Sequence, residues 1–290
     1  MSHVPLDSTH ADFAVLASIV TTIIRQGGGF DTFAEKVPAL FRQAYDEVID
    51  APRTNRFTLE ETEKTEKTYI GTKVEILVRD YLKLPKGKLL DLLVNGVEVD
   101  IKNTTGRSWM IPTESIGHPA LLLRTNEKTA RCDVGIVVCR PEYLSTSTNK
   151  DSKRQIRAEH YPSIWWILRD HPYPPNFWEV LPPTDREAIM SPASGTVRLA
   201  RLFETVQKRP ISRNQVQAIA QQHDYMKRIR RNGGARDILA PKGIAILWGS
   251  KDRDLIEQLN LGAVTPDEFV SVTPATDHEA AILRAAGHID

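Results

Sequence analysis

The sequence predicts an α/β core followed by a smaller helical domain, and three observations carry this. Helix-periodic apolar runs fill the first part of the chain and give way to a two-strand hairpin pattern. Prolines then crowd the stretch 171–192. Beyond it the chain turns helical and basic. At 290 residues it is long enough for two ordinary domains. With 41% hydrophobic and 26% charged residues it resembles an average soluble protein, which excludes collagen-like, coiled-coil and wholly disordered classes. We read 1–168 as the core domain, 169–176 as a linker and 177–290 as the second domain.

Phe13, Leu16, Ile19, Val20, Ile23 and Ile24 recur at helical spacing and stop at Gly27-Gly28-Gly29, which predicts a helix with a glycine stop. This apolar run has 12 residues, short of the roughly 20 that a bilayer crossing needs. Asp7 and Asp12 precede it where a signal peptide carries positive charge. Cys132 and Cys139 stand seven apart in a strand-like run and so point to opposite faces, which offers no disulfide framework and no cysteine metal site. A cytoplasmic chain is expected. A second helix is predicted over 32–49, ended by Pro52. A long helix is predicted over 58–84, with Thr58 and Glu61 at capping-box spacing, a bend at Gly71, and Pro85-Lys86-Gly87 as its end. In DLLVNGVEVDIK, Asn95-Gly96 between apolar runs predicts a hairpin. Residues 133–139 and 163–168 read as short buried strands. No internal repeat is visible.

The hairpin carries the chemistry. A two-residue turn at Asn95-Gly96 pairs Val94 with Val97 and sets Asp91 opposite Asp100. Opposed residues share one side of a sheet, and so do Asp100 and Lys102, two apart on one strand. Val97, Val99 and Ile101 then point into a core. Two carboxylates about 5 Å apart repel by about 3 kcal/mol at an effective dielectric near 20. Lys102 offsets part of this, and a hard divalent cation such as Mg²⁺ offsets more. Such an ion polarises a phosphodiester oxygen and lowers the pKa of a bound water, while an ammonium positions that water or stabilises developing charge. Glu75, on the preceding helix, is the candidate third carboxylate. The plainer alternative makes Asp91 a strand-start residue and Asp100 with Lys102 a solvated pair at a sheet edge.

The second domain concentrates charge. Over 198–242 eleven lysines and arginines face three acids, Glu204, Asp224 and Asp237, a footprint of polyanion binding. Leu199, Leu202, Phe203 and Val206 predict a helix with arginines on its other faces. Ser212 and Gln215 form a capping box that opens a helix with Val216, Ile219 and Ala220 inward. After a break at 221–223, Asp224 caps a second helix ended by Asn232-Gly233-Gly234. This reads as helix-turn-helix, with 244–248 as a strand of a wing. Arg213, Lys227, Arg228, Arg230 and Arg231 are candidates for DNA contact. In the first domain Asn149, Lys150, Lys153 and Arg154 form a polar, basic loop suited to gripping DNA. The eight histidines show no metal-ligand spacing, and Gly27-Gly28-Gly29 lacks the context of a phosphate loop. Trp165-Trp166 reads as core or dimer packing.

Five segments point to a family. They are EKTEKTYIGTKVEI, which carries Glu75; Asp91, nine residues before Asp100; the triplet Asp100-Ile101-Lys102; WMIPTESIGHPAL over 109–121; and STNKDSKRQI over 147–156. With the domain order, they resemble the NaeI-type restriction endonucleases of the Asp/Glu-X-Lys nuclease superfamily. The resemblance implies a restriction-endonuclease-like core, a mixed sheet flanked by helices, followed by a helix-turn-helix or winged-helix domain. It implies that Glu75, Asp91 and Asp100, with Ile101, hold Mg²⁺ and that Lys102 acts on the attacking water. It implies a homodimer that cuts both strands of a palindromic, G/C-rich, GCCGGC-like site in double-stranded DNA. A second DNA site on the C-terminal domain would activate cleavage, and a cognate DNA methyltransferase would be the functional partner. The family also carries a short stretch similar to a DNA ligase active site; here it reads Val48-Ile49-Asp50-Ala51 without a lysine, so no covalent nucleotide chemistry is expected. Two rival readings are a mismatch or short-patch repair enzyme that nicks one strand, and a non-catalytic DNA-binding regulator on a nuclease scaffold.

Overall fold

Helical apolar periodicity builds the first elements as expected. In the computed structural model, which describes residues 3–290, α1 (Phe13–Gln26) and α2 (Phe30–Ile49) are followed by the short α3 (Ala51–Thr54) and by α4 (Lys64–Leu82). The predicted start of the long helix is corrected. Thr58 N–H does donate to Glu61 Oε2 (2.8 Å), but the Thr62 hydroxyl bonds Leu59 O (2.7 Å) and holds these residues in turns. The helix opens six residues later, where Glu63 N–H donates to Glu66 Oε2 (2.7 Å). It runs through Gly71 unbroken, because Ile70, Val74, Val78 and Leu82 bury one stripe of it. Lys83, at φ 50°, ends it.

The strands follow as β1 (Leu92–Val94), β2 (Val97–Thr104), β3 (Met110–Ile111), β4 (Pro119–Asn126), β5 (Arg131–Val138), β6 (Leu144–Thr148), β7 (Arg154–Ile156) and β8 (Trp165–Pro172). One mixed sheet has the order β1-β2-β4-β5-β8, with β2 and β4 parallel and the other neighbours antiparallel. β4, which sequence patterning passes over, is its centre. Ala120 to Leu123 are fully buried, since an apolar run without alternation suits a strand covered on both faces. On one face Val99, Ile101, Leu121 and Leu123 pack with α1, α2 and α4. On the other, Ala120, Leu122 and Val137 pack with Trp109, Ile111, Leu144 and Ile156. Cys132 with Trp165 lies in the first core, Cys139 with Trp166 in the second, and both thiols are free. β3, β7 and β6 form a small antiparallel sheet, and Asn149 and Lys150 lie in the loop that joins β6 to β7.

The chain divides into two units. One holds the residues up to Ile49 together with Thr58–Asn176; the other holds Asp50–Phe57 with Phe177–Asp290. The expected linker 169–176 is in large part strand, since β8 continues to Pro172. Proline is tolerated there because β8 is an edge strand. The second unit adds α5 (Pro183–Met190), α6 (Gly195–Thr205), β9 (Ile211–Ser212), α7 (Arg213–Ala220), α8 (Ala235–Leu239), β10 (Ala245–Trp248), α9 (Arg253–Gln258), β11 (Glu268–Val272) and α10 (Asp277–Ala285). Its sheet has the order β10-β11-β9. The capping box is present, with Ser212 N–H donating to Gln215 Oε1 (2.8 Å). The second predicted helix is not: after α7 only a 3₁₀ turn forms, Tyr225–Arg228. Lys227, Arg230 and Arg231 repel at helical spacing, and Arg228 draws the Asp224 carboxylate away from capping (3.1 Å). Among the described residues no single helix is long and apolar enough to cross a membrane; α1 and α2 reach that length together only across a 79° bend.

Arg198 is also corrected, from a face cation to a buried tie. Its guanidinium donates to Ile219 O (2.7 Å), Ala220 O (2.9 Å) and Pro192 O (2.9 Å), fastening α6 to the end of α7, and burial lowers its pKa. Hydrogen bonds from a charged group contribute about 1.5–3 kcal/mol. Arg198→Ala is therefore expected to destabilise the second unit by about 2–3 kcal/mol. Amide exchange in α6 and α7 should accelerate while α1 and α4 keep their protection.

Candidate active site

The turn that organises the site has both central residues at positive φ, Asn95 at 51° and Gly96 at 81°, as a two-residue hairpin turn requires. Asn95 Nδ2 also donates to Ser18 Oγ and Thr22 Oγ1, each at 2.9 Å, and so ties the turn to α1. The ladder pairs Val94 with Val97, Leu93 with Glu98 and Leu92 with Val99. Asp91 is next in line, opposite Asp100.

The two carboxylates converge on one donor. Ile101 N–H is shared by Asp91 Oδ2 (2.9 Å) and Asp100 Oδ1 (3.0 Å). Lys102 Nζ donates to Asp100 Oδ1 (2.8 Å) and to Ile101 O (3.0 Å). Ser115 Oγ donates to Asp100 Oδ2, and both residues are buried. Asp91, Asp100 and Lys102 thus meet as the hairpin register requires, with the Ile101 side chain in the core on the opposite face. Glu75 stands on α4, within electrostatic reach of all three charged groups.

The electrostatics follow from this crowding. Burial raises the Asp91 carboxyl pKa, and a hydrogen bond with Asp100 raises it further. Burial, then the charges of Asp91 and Asp100, push Glu75 to about 7 against the pull of Lys102 and Arg79. Burial pulls Lys102 down, but the hydrogen bond and charge of Asp100, with Glu75 and Asp91, hold it above its ordinary value.

Among the described residues no three His, Cys, Asp or Glu side chains form a ready-made metal cluster. The Lys102 ammonium lies among the oxygens of this site. Asp100 Oδ1 and Ile101 O already aim at one cationic point, Lys102 Nζ, with Asp91 beside it. Hard oxygens converging on a cation suit Mg²⁺ in their chemistry.

Two contributors escaped the sequence reading. Ser115 lies in the 109–121 segment but has no spacing relation to Asp100; only the return of the chain beneath β2 joins them. Glu98 lies on the same side of β2 as Asp100, two residues earlier, and gathers three backbone N–H groups, of Lys88 (2.8 Å), Leu89 (3.3 Å) and Leu90 (3.0 Å). It thereby fixes the loop that enters Asp91, and those hydrogen bonds hold its carboxyl below the usual range.

The candidate DNA contacts fall into two groups. Asn149 Oδ1 accepts from Asp151 N–H (3.0 Å) and Lys153 N–H (2.9 Å), which makes it a turn former. Arg213 pairs with Asp267 (3.2 Å) and lies over the Trp248 ring (5.3 Å), and Arg228 pairs with Asp224 (3.1 Å). Lys150, Lys227, Arg230 and Arg231 are exposed, whereas Lys153 and Arg154 are half-buried.

Comparison with known proteins returns the same family. The family model described as restriction endonuclease NaeI matches residues 22–282. The type II restriction enzyme NaeI of Lentzea aerocolonigenes is 34% identical over 244 residues, which span 81% of this chain and 76% of that protein.

The opposed carboxylates predict a stability cost. Asp91→Asn keeps an acceptor for Ile101 N–H and removes one negative charge. In the absence of divalent ions it is expected to stabilise the protein by about 1–2 kcal/mol. Thermal unfolding measures this, and an unchanged or lower midpoint would show that the two charges do not repel at this site.

Proposed function

The chain belongs to the NaeI restriction endonuclease family and is a site-specific deoxyribonuclease acting on double-stranded DNA, and from that premise we propose how its residues divide the work. The observation that carries the reading is the single N–H of Ile101 shared by Asp91 and Asp100, with Lys102 on the same oxygen of Asp100. Asp91, Asp100 and the carbonyl of Ile101, with Glu75, hold Mg²⁺. When bound, the ion supplies a polarised phosphodiester oxygen and a water of lowered pKa. Lys102 keeps its proton, because three carboxylates surround it, and so orients the attacking water and stabilises charge on the phosphate. Ser115 and Lys102 restrain the two oxygens of Asp100 and fix its orientation. In-line attack leaves a 5′-phosphate and a 3′-hydroxyl.

The target is a palindromic, G/C-rich, GCCGGC-like site, cut in both strands by a homodimer in the cytoplasm, with a methyltransferase as the functional partner. The second unit binds a second DNA copy that activates cleavage. The order α6, β9, α7, α8, β10, α9, β11, with sheet order β10-β11-β9, supports a winged-helix arrangement. Its 3₁₀ turn and the following residues present Lys227, Arg230 and Arg231 to DNA.

Asp100→Ala or Lys102→Ala is expected to reduce cleavage by roughly 10³-fold or more, with duplex binding in Ca²⁺ retained. Parental cleavage by either variant would overturn the assignment. Plasmid digestion separates a double-strand cut, which gives linear product, from nicking. Arg230→Glu combined with Arg231→Glu is expected to flatten the salt dependence of DNA binding by roughly 2 in log–log slope, since each phosphate contact contributes about 0.9.

A further inference from the structure

We propose that a groove at the C-terminal end of α4 is a DNA-backbone site, which seats phosphates flanking the one that is cut. The proposal rests on the nuclease reading above. The groove, about 400 Å³, is lined by Ile76, Arg79, Asp80, Lys83, Leu84 and Lys86. Three cations face one acid there. Among the described residues none of these cations is held in an ion pair. Lys83 and Lys86 are exposed, and Lys88 follows, exposed, on the same loop.

Position argues for DNA. Glu75 and Arg79 on α4 and Lys83 at its C-cap recur every fourth residue, and each step advances about 6 Å along the helix axis. Phosphates of one strand follow one another every 3.4 Å or so along the duplex axis. A strand with one phosphate at the Glu75 end therefore has its neighbours within reach of Arg79 and Lys83. The loop that carries Lys86 is held ready. Glu98 gathers the N–H groups of residues 88–90, and Leu93 N–H donates to Pro85 O (2.8 Å). A Cβ on Gly87 would lie 2.1 Å from Glu98 Oε2 and 2.6 Å from Leu90 O, so only glycine lets the loop close on that carboxylate.

The helix dipole does not account for the cluster by itself. Cations near a helix C-terminus are stabilising, which covers Arg79 and Lys83. Lys86 and Lys88 lie beyond the helix and gain little from it. The helix end also presents about half a negative charge to an incoming phosphate, and the surplus of cations outweighs it.

The test uses the full-length protein with Ca²⁺ in place of Mg²⁺ and two short duplexes, one with the sequence the parent cuts and one scrambled. Lys83→Gln combined with Lys86→Gln is expected to flatten the log–log salt slope by about 2 on both duplexes. Affinity should fall roughly tenfold at moderate salt, while the single-turnover cleavage rate at saturating DNA, measured separately with Mg²⁺, stays parental. Lys86→Glu alone, at an exposed position, should weaken both duplexes as well. Parental slope and affinity in both variants would overturn the proposal. So would a reduced saturated rate with parental slope, which would place these cations in the chemistry instead. A parent that cuts no DNA at all would instead overturn the nuclease reading.

Discussion

A two-residue turn governs the first unit. Asn95 and Gly96 both occupy the left-handed region, and a hairpin closed this way has one register. A slip by one residue would exchange the faces of β2. Asp100 and Lys102 would then enter the core beneath α1, α2 and α4, and Val99 and Ile101 would leave it. The apolar side of β2 and the charged side are therefore fixed by the same event. The hydrogen bonds from Asn95 to Ser18 and Thr22 set that event against a helix formed far earlier in the chain.

Around this register the molecule holds charges that repel. Asp91 and Asp100 share one N–H, and Glu75 approaches from α4. Lys102 is the internal counter-ion, and Ser115 restrains the remaining oxygen of Asp100. Two residues before Asp100 on the same strand, Glu98 closes the loop leading into Asp91 with three backbone hydrogen bonds. Rigid neighbours thus keep two carboxylates closer than they would settle alone. α4 links this cluster to its surroundings, since the helix that delivers Glu75 also carries Arg79 about one turn further on and ends at Lys83.

In the second unit burial sorts the cations. Arg198 is consumed by backbone carbonyls, Arg236 pairs with Asp252 (3.6 Å), and Lys242 pairs with Glu204 (2.7 Å). Arg213 and Arg228 also have acidic partners. Lys227, Arg230 and Arg231 stay exposed around a short turn. A dense run of like charge marks this segment as a candidate polyanion surface and also disfavours the regular helix that the capping pattern predicts.

Local rules made much of the protein legible from its sequence. Periodicity located α1 and α2, the Asn-Gly turn fixed the hairpin and with it the meeting of Asp91, Asp100 and Lys102, and Ser212 with Gln215 marked the start of α7. Each depends on neighbours a few residues apart. Tertiary structure decided the rest. The run around Ala120 to Leu123 is a strand because it is covered on both faces, and its lack of alternation hides it in the sequence. Ser115 reaches Asp100 only after the chain passes beneath β2. Arg198 looks like any surface arginine until carbonyls of another helix surround it. Short-range geometry is written in residue spacing, whereas desolvation and the pairing of distant polar groups exist only once the chain has closed on itself.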